Sequence, residues 1–540
     1  MATSTDDFFR SRLDQMIDLR HPLAVLASRM PWQEIEASLS HRFARAAKAG
    51  KQIEDIDLFG AAAVVLSAGG VSKAGRPRLP LRLMVSLLYL KHAFNESDEA
   101  LVERWGETPT WQYFSGLAYF EHRWPCDPTL LVKFRKLIGE EGVEELLART
   151  IEAAVAMKLI AKKELSQIIV DSTVQEKAIT HPTDSKLLQA ARAKLVESAQ
   201  EEGIALKQTY AKESQVLGYR AGRYAHARQY KRMRKVIQRQ RTIVGRLQRE
   251  VGRKMSALAL AVQETLGKTL SQAQRLVSQT ASRKNQGKQP KLYSWHAPEV
   301  ECISKGKSRN PYEFGVKVGI ATTLKGNLIV GARTFPGNPY DGHTLHEQVE
   351  QASILMQATG VRPQTVYVDL GYRGVDQANP DIAIKHRGRL KSLTEEERKN
   401  LKRRQAIEPI IGHLKADHRM NRCHLLGAQG DSLHAVLCAA GYNIRWLLRM
   451  IAKKGVPFLQ TLFLRLLEHS GLTAMGRWAA KEVEKFGAEV RRQRRLDASF
   501  LWLWAGNEFF RGDSLTLWSF RYTLRGDGPA PLHRSAVSLN

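Results

Sequence analysis

The sequence predicts a multidomain α+β protein: a helical N-terminal domain, an α/β core interrupted by a long basic helical insertion, and a helical, aromatic-rich C-terminal appendage. Three observations carry that expectation. The chain has 540 residues, too many for one ordinary core. Apolar runs of strand type occur at 167–171 and return only after Pro311. Between them, residues 184–290 are helical in pattern almost throughout.

Composition narrows the partners. Lys and Arg total 83 against 54 Asp and Glu, a net charge of +29. An excess of that size attracts polyanions, nucleic acid first and an anionic membrane surface second. The 43% hydrophobic content suits a folded interior. The four cysteines, Cys126, Cys302, Cys423 and Cys438, have neither zinc-knuckle nor CxxC spacing and read as reduced thiols. The N-terminus lacks the apolar run of a signal peptide. The apolar stretch from His434 to Ala452 carries Arg445 and Arg449 and does not read as a membrane span. A soluble cytoplasmic protein is expected, with no membrane partner.

Element by element, residues 1–75 read as a mixed helical and polar segment, closed by the Gly/Lys/Pro-rich break from Ala68 to Pro80. Residues 80–160 read as a compact helical domain. Ser97 caps one helix, with Glu99 and Glu103 in or near its first turns, and others start at Thr110 and Pro128. Short helices with a basic rim suit either a helix-turn-helix DNA reader or a packing domain. The core is expected at 161–183 and 291–455. QIIVD is a buried strand ending on Asp171.

In the insertion, 184–290, thirteen Lys/Arg and one acid, Glu250, fall between Arg220 and Lys254. An apolar stripe of Met233, Ile237, Val244, Leu247 and Val251, broken by Gln240, predicts a long basic hairpin. Arg228, Arg232 and Arg239 beside it are candidate phosphate contacts. Strands follow at YEFGVKVGIATT and LIVGART, joined by a Gly326-Asn327 turn. A helix should start after Asp341, capped by that side chain. TVYVD ends on Asp369, IAIKH is a further strand, and a polar stretch leads to a helix bearing Glu408. Strand, helical insert, hairpin, helix, strand, strand, helix is the order of an RNase H-like fold with a large insertion after its first strand.

Asp171, Asp369 and Glu408 are the candidate catalytic and metal-binding residues. Phosphodiester chemistry needs an activated nucleophile and a stabilised leaving oxygen, which two divalent ions supply when carboxylates converge on them. Arg404, Glu408 and Lys415 share one helix face at 100° per residue, unless Pro409 starts the helix close to Glu408 and moves Arg404 off that row. Arg404, Lys415, Arg373, Tyr372 and Arg419 are the candidate DNA contacts near the acids. His413, His418, Cys423 and His424 lie close together but fit no familiar zinc spacing. Trp295 could stack on an extruded base or simply pack. Residues 456–540 hold an amphipathic helix and an aromatic tail from Phe500 to Tyr522.

These blocks resemble the insertion-sequence DDE transposases, and within them the insertion-sequence-five group of the insertion-sequence-four-like superfamily. Val170 to Ser185 is similar to the family's first-Asp block, Asn338 to His343 to its NPYDGH block, and Val368 to Gly374 to its second-Asp block. Arg404-x3-Glu408-x6-Lys415 resembles the signature around the catalytic Glu, with Leu401 in place of the usual Tyr. The resemblance implies an RNase H-like core, two Mg2+ ions (Mn2+ may substitute) and binding to terminal inverted repeats and target DNA. It also implies cleavage and 3′-end joining, a homodimer or higher oligomer on DNA, and a bacterial, nucleoid-associated enzyme. The alternative is a non-catalytic basic architectural protein, which leaves the acids unexplained.

Overall fold

The computed structural model describes residues 11–43, 79–256, 258–281, 291–304, 311–373, 380–388 and 393–469, with 455–469 as backbone alone. The Gly/Lys/Pro-rich break, apart from its last two residues, and the aromatic tail lie outside the described residues. One compact unit runs to Gly455, and Val456 begins a second.

The N-terminal part contains helices α1 (Leu13–Met16), α2 (Pro22–Arg29), α3 (Trp32–Ser40), α4 (Leu81–Ala93), α5 (Asp98–Glu107), α6 (Pro109–Phe114) and α7 (Pro128–Ala156). Ser97 caps α5 as its sequence position predicts, its hydroxyl accepting from the Ala100 amide at 3.0 Å. Pro128 opens α7, where its missing amide hydrogen costs nothing. Helix α4 is buried on nearly every face. It is therefore a central packing helix and offers no face to a DNA groove. Its Leu87, Leu88 and Leu90 join one apolar core with Ile169, Val318, Val366 and Leu437, so the N-terminal helices and the sheet share an interior.

The sheet has six strands: β1 (Gln167–Glu176), β2 (Glu301–Ser304), β3 (Tyr312–Thr323), β4 (Ile329–Phe335), β5 (Thr365–Tyr367) and β6 (Ala383–Lys385). β1 is central, antiparallel to β3 on one side and parallel to β5 on the other, with β6 parallel beyond β5. β4 and β2 both pair antiparallel with the far side of β3. The path β4-β3-β1-β5-β6, with these directions, is that of an RNase H-like core, and β2 extends one edge. The β3–β4 connection runs from Leu324 to Leu328. Asn327 alone in it has positive φ, at 59°, so the loop is longer than the predicted two-residue turn.

Helix α12 (Asp341–Leu355) packs on β3 and β4. Helices α13 (Glu395–Arg403), α14 (Ile407–Asp417) and α15 (Gly427–His469) follow β6. Helix α13 occupies the stretch read as merely polar. Thr394 and Glu397 form a reciprocal capping box at its start.

Between β1 and β2 lie α8 (Asp184–Glu201), α9 (Ala211–His226), α10 (Tyr230–Met255) and α11 (Leu260–Ala281). The predicted hairpin is instead part of a four-helix bundle. Helix α10 packs against the other three, and Leu188, Leu195, Val244, Leu247 and Leu276 form a core of their own. Val236 and Ile243 belong to the buried stripe, and Gln240, its polar break, is also buried. Trp295 packs against this core, with its carbonyl accepting from Gln272 at 2.6 Å, which is the packing role. Among the described residues no helix is long and apolar enough to cross a membrane.

A separate bundle core has a measurable consequence. Leu247→Ala should cost about 2–5 kcal/mol by leaving a cavity. Native-state hydrogen exchange should accelerate across 184–281 while β1 and β3 keep their protection. Equal acceleration in the sheet would show that the bundle is not an independent core.

Candidate active site

The geometry starts from where the parallel pairing ends. β5 pairs with β1 only through Gln167–Ile169. Asp171 lies two residues further along β1, which continues to Glu176 on its antiparallel pairing with β3. It is therefore a mid-strand residue opposite Ile320, not the strand end expected. Asp369 lies two residues past the end of β5, before the short turn Leu370–Tyr372. Both acids thus sit at the carboxyl edge of the parallel pair, where α/β sheets place their sites.

Arg404 joins them. Its Nη1 is 3.2 Å from Asp171 Oδ2 and its Nη2 is 3.5 Å from Asp369 Oδ1. The side chain is only 9% exposed, against 52% for Asp369. Arg404 lies in a short 3-10 turn, Arg404–Ala406, and α14 begins only at Ile407. The helix starts beside Glu408 and Pro409, so Arg404 leaves the predicted row and turns into the carboxylate pair. Glu408 stands exposed in the first turn of α14, which packs on β1. Among the described residues its carboxylate has no hydrogen bond or ion pair.

The remaining predicted contacts separate into groups. Tyr372 is 1% exposed and cannot touch DNA. Its ring belongs to the core, and burial, then the charges of Asp171 and Asp341, hold its phenol well above the ordinary range. Arg373 is exposed. Lys415 faces buried Glu313 at 3.7 Å. Arg419 is half-buried and donates to the Asn95 carbonyl at 3.1 Å, tying the end of α14 to the N-terminal helices. Arg228, two residues before α10, and Arg232 in its first turn are exposed, with Lys231, Arg234 and Lys235 also open. Arg239 is engaged: it makes a two-pronged pair with Glu213 of α9 at 2.7 and 3.1 Å. His413, His418, Cys423 and His424 form no ligand cluster among the described residues. His413 pairs with Asp417, and His418 is buried against the His92 carbonyl.

One feature of the site escaped the sequence reading. Asp341 does not cap α12. It is the first helical residue, and Lys317 of β3 holds its carboxylate at 3.0 Å while also donating to the Pro339 carbonyl at 2.5 Å. The Tyr340 hydroxyl donates to the Arg373 carbonyl at 3.4 Å, and a Cβ on Gly371 would lie 3.3 Å from Asp341 Oδ2. The Pro339–Asp341 corner therefore grips the loop that carries Asp369. The Asn-Pro-Tyr-Asp run was its only signal in the sequence.

Comparison with known proteins now decides the family. Residues 11–137 match the family described as Transposase domain (DUF772), and residues 279–444 match Transposase DDE domain. An uncharacterized protein, ORF8 in the nfe locus of Rhizobium meliloti, is 39% identical over 229 residues, which are 42% of this chain and 97% of that protein. The chain belongs to the insertion-sequence DDE transposases. No solved structure matches the transposase. The DDE match begins in the last turn of α11, so β1 and Asp171 lie outside it. DNA is this family's substrate, and its members typically use a divalent metal. The donors fit such an ion: carboxylate oxygens, two of them on exposed residues, suit a hard cation.

The Lys317 corner can be tested by itself. Lys317→Met should cost about 1–3 kcal/mol, because Asp341 loses its partner. Hydrogen exchange should quicken at 370–373. Wild-type exchange there in a folded variant would mean that the corner does not hold the loop.

Proposed function

We propose that this transposase binds the terminal inverted repeats of its insertion sequence, cleaves the element ends and joins the freed 3′ hydroxyls to target DNA. The bridging of Asp171 and Asp369 by Arg404, next to Glu408, carries the proposal. Asp171, Asp369 and Glu408 are the catalytic carboxylates and would hold two Mg2+ ions, with Mn2+ as substitute. Such ions, when bound, supply nucleophile activation and leaving-oxygen stabilisation. In the first step a water oxygen attacks the scissile phosphorus and the bond to the 3′ oxygen breaks. In the second, that 3′ hydroxyl attacks a target phosphorus, the target's own bond from phosphorus to 3′ oxygen breaks, and the target strand is left with a free 3′ hydroxyl.

The chain's own residues set the geometry. The sheet edge fixes Asp171, the Pro339–Asp341 corner steadies Asp369, and α14 carries Glu408 against β1. Arg404 offsets the repulsion between the two aspartates. Arg373 lies exposed beside Asp369 and suits a backbone phosphate; Lys415 and Arg419 are further candidates, though both already have protein partners. The basic bundle, 184–290, would extend the DNA track through Arg228 and Arg232. We assign 1–75 and 80–160 as N-terminal helical regions, 161–183 with 291–455 as the catalytic core, and 456–540 as an appendage. Joining two ends at one target requires at least a dimer on DNA. The resemblance of the sequence blocks to those of the insertion-sequence-five group supports assigning the enzyme to that group.

Two experiments test this reading. Alanine at Asp171, Asp369 or Glu408 should abolish Mg2+-dependent cleavage of an end-bearing duplex while gel-shift binding persists. Full cleavage by all three variants would overturn the assignment. Arg228→Gln and Arg232→Gln should each flatten the slope of log K against log salt by about 0.9. Arg239→Gln should change it less, because that guanidinium is already paired. Unchanged slopes in the first two would remove the bundle from the DNA track.

A further inference from the structure

Away from the carboxylates, a compact cluster joins α4 to α15. His92 is 1% exposed, His434 5% and Cys438 0%. One potential ligand atom from each lies within 4.8 Å of the others. His434 and Cys438 are four residues apart on α15, the spacing that puts two side chains on one helix face. His92 meets them from the last turn of α4. Gly441 permits that approach: a Cβ there would come within 2.5 Å of the His92 backbone and side chain.

We propose that His92, His434 and Cys438 form a structural zinc site that rivets α4 to α15. The geometry is near a ligand shell. His92 Nδ1 lies 3.6 Å from Cys438 Sγ. Zinc bonds of about 2.0–2.1 Å to nitrogen and about 2.3 Å to sulfur make the edge of a tetrahedron about 3.5 Å long. The outer contacts are those of an oriented ligand. His434 Nε2 faces the Arg419 carbonyl at 2.9 Å. A carbonyl can only accept, so Nε2 carries the hydrogen and Nδ1 is left with the lone pair that a metal takes.

A zinc ion would take both rings as neutral imidazoles and Cys438 as a thiolate, releasing the thiol proton on binding. The nearby cations are engaged elsewhere. Lys91 and Arg135 both pair with Asp98, at 2.7 and 2.6 Å, and Arg419 reaches the Asn95 carbonyl. A thiolate and two neutral imidazoles leave one tetrahedral corner with no protein ligand among the described residues.

The test uses the full chain, purified without a metal-binding tag from zinc-supplemented cells and dialysed against a weak chelator. Elemental analysis should find about one zinc per chain. The melting temperature should fall on treatment with a strong zinc chelator and recover with Zn2+, not with Mg2+. Cobalt exchanged into the protein should show a thiolate-to-cobalt band that Cys438→Ser removes. Folded wild-type protein without zinc, and with a melting temperature indifferent to the chelator, would overturn the proposal, whether or not any variant folds. Undiminished zinc in folded Cys438→Ser and His434→Gln would overturn it as well.

Discussion

Two aspartates at one sheet edge repel each other, and the second lies past the end of its strand, before the short turn Leu370–Tyr372. Arg404 answers the problem. Its guanidinium reaches Asp171 at 3.2 Å and Asp369 at 3.5 Å, and its burial keeps solvent from screening the attraction. Much of the surrounding structure serves this contact. Helix α13 and the tight turn after it aim Arg404 inward. The apolar side of α14, Ile407, Ile410 and Leu414, seats the next helix on the sheet. The Lys317–Asp341 pair then steadies the loop after Asp369.

A second buried ion cluster bears on how the bundle is carried. Lys177 leaves β1 toward the bundle, and Glu299 lies on the returning segment. The Lys177 ammonium lies 2.8 Å from Glu299 and 2.9 Å from Asp431 near the start of α15. Burial raises the Asp431 carboxyl despite Lys177, whereas for Glu299 burial is outweighed by the hydrogen bond and charge of Lys177 together with backbone hydrogen bonds, including one from the Gly427 amide, and the carboxyl is lowered. A backbone bridge adds to the clamp: the Ala178 amide donates to the Cys423 carbonyl and the Cys423 amide to the Glu176 carbonyl, each at 2.7 Å. Both necks of the bundle are thus fixed to the core. A cluster of this kind is weak evidence for net stability but sets geometry firmly, since loss of one partner strands a buried charge.

Local signals were legible in the sequence where local physics decides. The Ser97 cap, Pro128 at a helix start and the alternating strands of the hairpin all appear where the residues place them. Thr394 with Glu397 was equally legible as a capping box, yet α13 was read as a polar stretch because its charge masked the signal. What local pattern could not supply were partnerships across the chain. Asp341 looked like a cap because its competitor, Lys317, is on another strand. Helix α10 looked like one half of a hairpin, whereas its apolar stripe is covered by α8, α9 and α11 together. Asp171 looked like a strand end because the apolar run stops there, whereas its antiparallel partner β3 carries the strand onward. The three acids were singled out by pattern, while the guanidinium that joins two of them was assigned to DNA.

The most direct measurement replaces Mg2+ with Fe2+ and maps where peroxide-generated radicals cut the polypeptide. If Asp171, Asp369 and Glu408 share one metal centre, cuts should cluster near residues 171, 369 and 408 together, and excess Mg2+ should suppress all three in parallel. Cuts concentrated elsewhere, with these three segments intact, would contradict a common centre.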